Sequence, residues 1–582
     1  MPFAPEPFTP GPFVPDLDPS AAGRPTPLGT HLAELIWFRS LTGAVHPYVE
    51  HARTGRFVTF GDLRRATTRW AGLLDDLGIG SGETVGIAVA DAVDFSMVFL
   101  GVVAAGRVAA PLDSAAPAAE LVSVCGRVRP AVVLSDRTGP AGLATDWIVL
   151  RSGSFDLPDA ELPGGAPGWA PTLGTPATLG TPSTLGMSAT PRPTDGGLVL
   201  STSGTTGTPK LIRLTDRQLL HTARAIARHH RLSATDRGFN SLPLFHINAE
   251  VVGLLASLVA GATVVLDDRF HRTAFWADMG RHRVTWINAV PAIIARLVPL
   301  ATGEIVPTGI RFVRSASAPL PEPTRRRFED ATGLPIVETY GMTEAGSQIT
   351  ANPLDGPRKP GSAGRPIGVE LRVVADDEVA TDSPADQTAD PAAEQPTEQP
   401  TEQSADEAIP ATDDPVVGRV EIRGPGVIGG YAGTGYEDRV DADGWLDTGD
   451  LGYLDEDGYL FLVGRADDVI NRGGEKIFPR EVEETILADP DVRAAVVVGW
   501  DHQVFGRVPV AFLVAEGVVG DDDRSRAEVI VDRLHGRCAR DLSRPKRPVA
   551  FHVVQQLPAG TNGKIRRSMV ARQEAIYSLL VS

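Results

Sequence analysis

Ten residues, Ser201-Thr-Ser-Gly-Thr-Thr-Gly-Thr-Pro-Lys210, constrain this chain more than any other stretch. They follow the apolar run Leu198-Val199-Leu200, which reads as a buried strand. Glycines let the backbone turn its N–H groups inward around an anion, hydroxyls add donors, and Lys210 adds a positive charge. The combination makes a cradle for phosphate. It is not the Walker arrangement, because Leu211 follows the lysine and the lysine does not directly follow a glycine. A Ser/Thr/Gly loop with no ligand has the same composition, so the loop by itself leaves both readings open.

A chain of 582 residues can bury a large core in more than one domain. Its 42% apolar content is that of a soluble globular protein. The net charge of −18 is mostly local: residues 376–415 carry 13 Asp or Glu and no Lys or Arg. The rest is nearly balanced, which argues against a nucleic-acid surface. Two cysteines, Cys125 and Cys538, are too few for a disulfide framework and point to a reducing, cytoplasmic setting. No basic residue precedes Arg24, so a signal peptide is not expected. The apolar run Val251–Leu266 is too short for a membrane span, is interrupted by Gly253 and Gly261, and reads as a buried helix running into a strand.

Residues 1–27 are Pro-rich and read as a tail. From about Leu28, helix-like and strand-like stretches alternate, with Leu63–Leu77 helical and Thr84–Ala90 extended. Gly78-Ile-Gly-Ser-Gly82 lies between them, after a helix and before a strand. That is the reverse of a dinucleotide fingerprint, so it reads as a turn. Residues 154–196, with Thr-Leu-Gly-Thr-Pro repeated, and the acidic tract 376–415, with Gln-Pro-Thr-Glu repeated, read as insertions that cannot order themselves.

Four further stretches carry chemistry. Thr339-Tyr-Gly-Met-Thr-Glu-Ala-Gly346 offers an aromatic face, a hydroxyl and a carboxylate suited to Mg²⁺. Trp445-Leu-Asp-Thr-Gly-Asp450 sets a carboxylate on a turn, where it can accept hydrogen bonds from ribose hydroxyls. Gly464-Arg-Ala-Asp-Asp468 and Asn471-Arg-Gly-Gly-Glu-Lys-Ile477 combine a cation, a pivot and a second glycine loop. Leu557-Pro-Ala-Gly-Thr-Asn-Gly-Lys564 presents one lysine near the C-terminus. Each alone is weak, but the five in this order are specific.

Together these stretches resemble the adenylate-forming superfamily of acyl-CoA synthetases, aryl and coumarate CoA ligases, peptide-synthetase adenylation domains and firefly luciferase. The resemblance runs from about Leu28 to the C-terminus apart from the insertions. It implies an α/β fold: a large N-terminal domain (28–464) of layered α/β subdomains plus a β-barrel, then a small mobile α/β domain (465–582). It implies ATP, Mg²⁺ and CoA as ligands and a small-molecule carboxylic acid as substrate. Ser201, Thr202, Ser203, Gly204, Thr205, Thr206, Gly207 and Lys210 would grip the β- and γ-phosphates. Tyr340 would stack on adenine opposite Ala316, Ser317 and Ala318, flanked by Thr339 and Gly341. Thr343 would meet the α-phosphate, Glu344 hold Mg²⁺, Asp450 the ribose and Arg465 the nucleotide. Asp467 matches the hinge, Gly473 and Gly474 the thiol channel, and Lys564 the lysine between carboxylate and phosphate. Lys564, Thr205, Glu344 and His246 form the implied catalytic set. Alanine at 316, where glycine is frequent, and Thr339 before the tyrosine are mild departures.

The acid is read from Leu242-Pro-Leu-Phe-His-Ile-Asn248, which resembles the segment closing the acyl pocket. His246 would gate it, while Asn248, Glu250 and Asn288 suit a small polar acid better than a fatty chain, because buried polar groups want partners. A water-facing Glu250 and a structural His246 are the plainer readings. The residues leave the acceptor open: CoA leads, with a carrier-protein thiol, an amine or nitrite as alternatives. A catalytically silent nucleotide sensor is the reading from another class, and intact Lys210, Glu344, Asp450 and Lys564 argue against it.

Overall fold

The computed structural model describes residues 30–140, 145–149, 196–202, 210–298, 300, 303–375, 417–432, 439–558, 565, 567–570 and 574–580. The N-terminal tail, almost all of the first insertion, the whole acidic tract, residues 203–209 and Lys564 lie outside them.

Two α/β sheets carry the large domain. The first is six-stranded, in spatial order Asp146–Val149, Val132–Ser135, Thr84–Ala88, Val108–Pro111, Gly197–Thr202, Lys210–Thr215. Its strands run parallel except the last pair, an antiparallel hairpin whose register sets Thr202 opposite Lys210. The apolar run before the hydroxyl-rich stretch is thus an inner strand. The chain leaves the hairpin through the helix Asp216–His229, whose start is fixed by reciprocal bonds. The Thr215 hydroxyl accepts from the Gln218 amide (3.3 Å), and the Gln218 side chain accepts from the Thr215 amide (2.9 Å). Lys210 is therefore anchored one short strand away from a capped helix.

The second sheet has nine strands. Its inner members, Ile336–Tyr340, Phe312–Ser315, Trp286–Ala289, Arg237–Asn240, Thr263–Leu266 and Pro47–His51, are parallel neighbours in that order. Parallel strands covered on both faces are normally apolar throughout. Here the register instead sets Asn240, Asn288 and Arg314 side by side on three adjacent strands, near their C-terminal ends, each about 1% exposed. The crevice outside those ends is where open α/β sheets bind ligands.

The helix expected over Leu63–Leu77 spans Phe60–Asp76, starting earlier because Thr59 and Asp62 close a capping box ahead of it. The strand expected over Thr84–Ala90 is Thr84–Ala88. Between them Gly78 (φ +72°) and Gly82 (φ +77°) turn the chain in the left-handed region. Val251–Leu266 is a buried helix running into a strand: a π-helical turn Ala249–Leu255, the helix Ala256–Ala260, then Thr263–Leu266. No helix among the described residues is long and apolar enough to cross a membrane. Cys125 and Cys538 are buried and unbridged.

A third sheet is antiparallel, made of Glu370–Ala375, Gly418–Arg423, Leu446–Leu454 and Leu460–Arg465. The resemblance implied a β-barrel; among the described residues this is an open four-stranded sheet, with no pairing between its outer strands. Beyond it a separate hydrophobic core begins at Ile470. A six-stranded sheet, dominated by the long hairpin Val492–His502 and Gly506–Ala515, packs there with the helices Pro479–Leu487 and Arg524–Asp541. Arg480 ties this C-terminal unit to the large domain by donating to the Leu462 carbonyl (2.7 Å).

Candidate active site

Residues distant in sequence meet where the first hairpin approaches the second and third sheets. The Tyr340 hydroxyl donates to the Asp450 carboxylate, and Arg465 Nη1 lies 3.4 Å from the other Asp450 oxygen. Asp450 and Arg465 face each other across paired strands, so the ion pair is built into the register. Burial, with the Asp450 charge adding to it, pushes the Tyr340 phenol well above its usual range, so it stays a donor. Asp450 sits after Gly449 (φ +74°), where a Cβ would come 2.9 Å from Arg465 Nη2. Only glycine lets the guanidinium come that close.

Lys210 joins the same group. Its ammonium lies 4.7 Å from the centre of the Tyr431 ring, and the Tyr431 hydroxyl donates to Glu344 Oε1 (3.0 Å). Burial holds the Lys210 ammonium below its usual range, helped by Arg439 and Arg465 and opposed by Glu344 and Asp467. Lys210, Glu344, Arg465 and Asp467 thus share one electrostatic neighbourhood, and Arg465 continues it to Asp450 and Tyr340. Three cations gathered there, Lys210, Arg439 and Arg465, can meet phosphate oxygens.

The turn carrying Thr343 and Glu344 is a short 3₁₀ segment, Thr343–Ala345, clamped by tight backbone packing. A Cβ on Gly341 would fall 1.6 Å from the Ser347 carbonyl oxygen, so position 341 admits only glycine. The Ile428 amide donates to the Glu344 carbonyl (2.9 Å), which also fixes the approach of Tyr431. Thr339 spends its hydroxyl on the Ser315 carbonyl (3.0 Å), tying neighbouring strands together. The Ser201 hydroxyl accepts from Arg127 (3.3 Å). Thr202 pairs with Lys210 through the backbone. Ser203, Gly204, Thr205, Thr206 and Gly207 lie outside the described residues, as does Lys564.

Two of the proposed acid-binding residues, Asn248 and Asn288, also converge. Asn248 donates to the Ser317 hydroxyl (3.2 Å) and accepts from Asn288 (3.1 Å) and Arg314 (3.1 Å). Ser317, between Ala316 and Ala318, adopts φ +72°, an uncommon backbone conformation for a residue with a side chain. His246 packs against Phe245, and burial lowers its imidazole to about 4, so it is neutral at physiological pH. Glu250 does not face water: it is fully buried in the π-helical turn, with no hydrogen bond to either carboxylate oxygen among the described residues. Burial drives its carboxyl well above the usual range, so it is held neutral.

Gly473 and Gly474 (φ +63° and +104°) form the turn between Ile470–Arg472 and Glu475–Ile477. The Gly473 amide donates to the Phe505 carbonyl (2.9 Å), so the turn leans on the long hairpin of the C-terminal unit. Asp467 lies in the connection between the two units, and Arg567 holds its neighbour Asp468 (3.2 Å) and Glu483 (2.6 Å).

Sequence reasoning missed Tyr431, Arg439, Gln348 and Arg314. Tyr431 and Arg439 flank a segment with no distinctive spacing. Arg314 did leave a signal: a charged residue inside Phe312-Val-Arg-Ser315, otherwise an apolar inner strand.

Residues 42–389 match the family described as AMP-binding enzyme, and residues 481–564 match the AMP-binding enzyme C-terminal domain. The chain is 36% identical to the sulfoacetate–CoA ligase of Cupriavidus necator over 92% of its own length and 96% of the relative's. It is 33% identical to the oxalate–CoA ligase of Arabidopsis thaliana, covering 88% and 91%. Among solved structures it resembles the o-succinylbenzoate CoA synthetase of Bacillus subtilis. With the acyl-adenylate intermediate the TM-score is 0.70, at 25% identity over 93% of this chain and 98% of that one. With ATP and a magnesium ion it is 0.68, at 25% identity over 92% and 99%.

Proposed function

The chain belongs to the AMP-binding enzyme family, and from that premise we propose which residues carry its reaction and what kind of acid it takes. The enzyme is an AMP-forming acid–CoA ligase: it activates a carboxylic acid as an acyl adenylate and passes the acyl group to CoA. The observation that carries the residue assignment is the continuous group from Lys210 through Arg465 and Asp450 to Tyr340.

The chemistry explains the gathering of cations. A carboxylate must approach the α-phosphorus of ATP, and two like charges about 4 Å apart repel by roughly 4 kcal/mol at an effective dielectric of 20. Lys210 and the hydroxyl-rich stretch hold the outer phosphates. Asp450 accepts from the ribose hydroxyls; its carboxylate has lone pairs beyond those engaged by Tyr340 and Arg465. The Tyr340 ring supplies a face for adenine, and Thr343 reaches the α-phosphate. A single carboxylate beside a phosphate cradle is the donor set Mg²⁺ uses, since that ion takes most of its ligands from water and phosphate. Glu344 fits this part. When bound, the ion neutralises phosphate charge. Lys564 bridges the attacking carboxylate and the α-phosphate, worth about 3 to 4 kcal/mol for a well-placed group.

The bond from the carboxylate oxygen to the α-phosphorus forms as the bond to pyrophosphate breaks; the CoA thiol then displaces AMP from the acyl carbon. The C-terminal unit, taken from Arg465, turns at Asp467 between these halves, withdrawing Lys564 and bringing Gly473 and Gly474 to the thiol. Asn248, Asn288 and His246 line the acid site, and their polarity supports a small polar acid. The test is product analysis with ATP, Mg²⁺ and CoA over small polar, aryl and fatty acids. AMP, pyrophosphate and a CoA thioester, formed fastest with small polar acids, are expected. Acid-dependent AMP release without thioester would move the acceptor away from CoA, and fatty-acid preference would overturn the acid assignment.

A further inference from the structure

Arg314 is a fully buried cation without an anion. Its side chain lies in the row Asn240, Asn288, Arg314 at the C-terminal ends of the parallel strands. Nη1 donates to Asn248 Oδ1 (3.1 Å) and Asn288 Oδ1 (3.0 Å), and Nε and Nη2 both donate to Gln348 Oε1 (3.3 and 3.1 Å). All three partners are neutral amides, and no carboxylate lies within ion-pair distance among the described residues. Burying a charge without a counter-charge costs several kcal/mol, and proteins ordinarily keep such a group only when something pairs it. Four contacts leave one of the five guanidinium donors unspent. The amide nitrogen of Gln348 and the Ser315 hydroxyl are likewise buried without partners. The neighbourhood is rich in unsatisfied donors. Glu250, a fully buried carboxyl, has no hydrogen bond to it and is held neutral.

Position supplies the rest. One side chain, Asn248, bridges Arg314 to Ser317, and the carbonyl of Ser315 in the same segment holds Thr339, the neighbour of Tyr340. A ligand anchored at Arg314 with its far end at the α-phosphate is therefore short.

We propose that Arg314, supported by Gln348, is the specificity residue that pairs with a second anionic group, carboxylate or sulfonate, on a short acid whose other carboxylate is adenylated. This rests on the acid–CoA ligase reading and narrows it to dianionic acids of two or three carbons. The unspent guanidinium N–H and the unpartnered Gln348 amide nitrogen together can meet two oxygens of either group, and a monoacid, whose one carboxylate is adenylated, has none to offer there.

The experiment measures acid-dependent pyrophosphate release and the melting shift given by acid plus AMP. Sulfoacetate, oxalate and malonate are compared with acetate and propionate, in wild type, Arg314→Met and Arg314→Lys. Wild type is expected to prefer the dianions by about 100-fold or more in kcat/KM. Arg314→Met should lower the dianion-to-monoacid ratio of kcat/KM about 100-fold, with Arg314→Lys between. Sulfoacetate against the dicarboxylates then tells sulfonate from carboxylate. Turnover of monoacids with no dianion preference in wild type, or a preference that survives Arg314→Met, overturns this assignment and leaves the ligase reading standing. No pyrophosphate release with any acid overturns both. Should Arg314→Met fail to fold, Gln348→Met and the wild-type melting shifts decide: no stabilisation by any dianion counts against the proposal.

Discussion

Asp450 does the most with the fewest atoms: two of its contacts, Tyr340 and Arg465, aim it, and its remaining lone pairs are the ones a ribose would use. Asp450→Asn keeps the shape and removes the charge. Hydrogen bonds to a charged group contribute about 1.5–3 kcal/mol, so kcat/KM for ATP should fall about 10- to 100-fold in steady-state assays, with the KM for CoA unchanged. An unchanged ATP dependence would remove Asp450 from the site. His246 makes a pH prediction. Its folded-state value of about 4 lies below the ordinary 6.5 because burial favours the neutral ring. The unfolded chain therefore takes up the proton first as pH falls, and this contribution to stability is lost between about 6.5 and 4. His246→Gln should lose less melting temperature than wild type between pH 7 and pH 5. Equal losses would mean the ring is not held neutral.

At the scale of elements, the site depends on turns that tolerate only one residue. Gly341 opens the turn to Thr343 and Glu344, and any side chain there meets the Ser347 carbonyl. Gly341→Ala should displace that turn by more than an ångström, enough to cost about 100-fold in kcat, while the folded content seen by circular dichroism is kept. Activity within a few-fold of wild type would contradict the clamp. The same elements divide what the sequence disclosed from what it hid. The strand ahead of the hydroxyl-rich loop was legible because an apolar run is a local signal, whereas the helix after Lys210, with its Thr-x-x-Gln cap, was not read from the sequence. The row Asn240, Asn288, Arg314 was not, because strand register across non-adjacent segments creates it. The burial of Glu250 was hidden for a similar reason: in a π-helical turn the helical period that sorts buried from exposed positions does not apply. The barrel implied by resemblance depends on closure between strands, which the open sheet of 370–465 lacks among the described residues.

At the scale of the molecule there are two large hydrophobic cores, one before and one after Asp467 in sequence, as the proposed turn at Asp467 between the two half-reactions requires. Arg567, three residues after Lys564 in sequence, grips Glu483 and Asp468. Lys564→Ala should lose adenylation by 100-fold or more yet form thioester from preformed acyl adenylate and CoA at near the wild-type rate. If both halves survive, Lys564 is not the bridging lysine. The account as a whole holds that separated glycine, hydroxyl, acidic and cationic positions gather around one nucleotide whose α-phosphorus is attacked by an acid. Isotope exchange between pyrophosphate and ATP, run with a short dianionic acid and no thiol, reads that step alone. The account predicts exchange that requires the acid, is abolished in Lys564→Ala and is weakened in Asp450→Asn; exchange independent of acid, or none with any acid while AMP still forms, would contradict it.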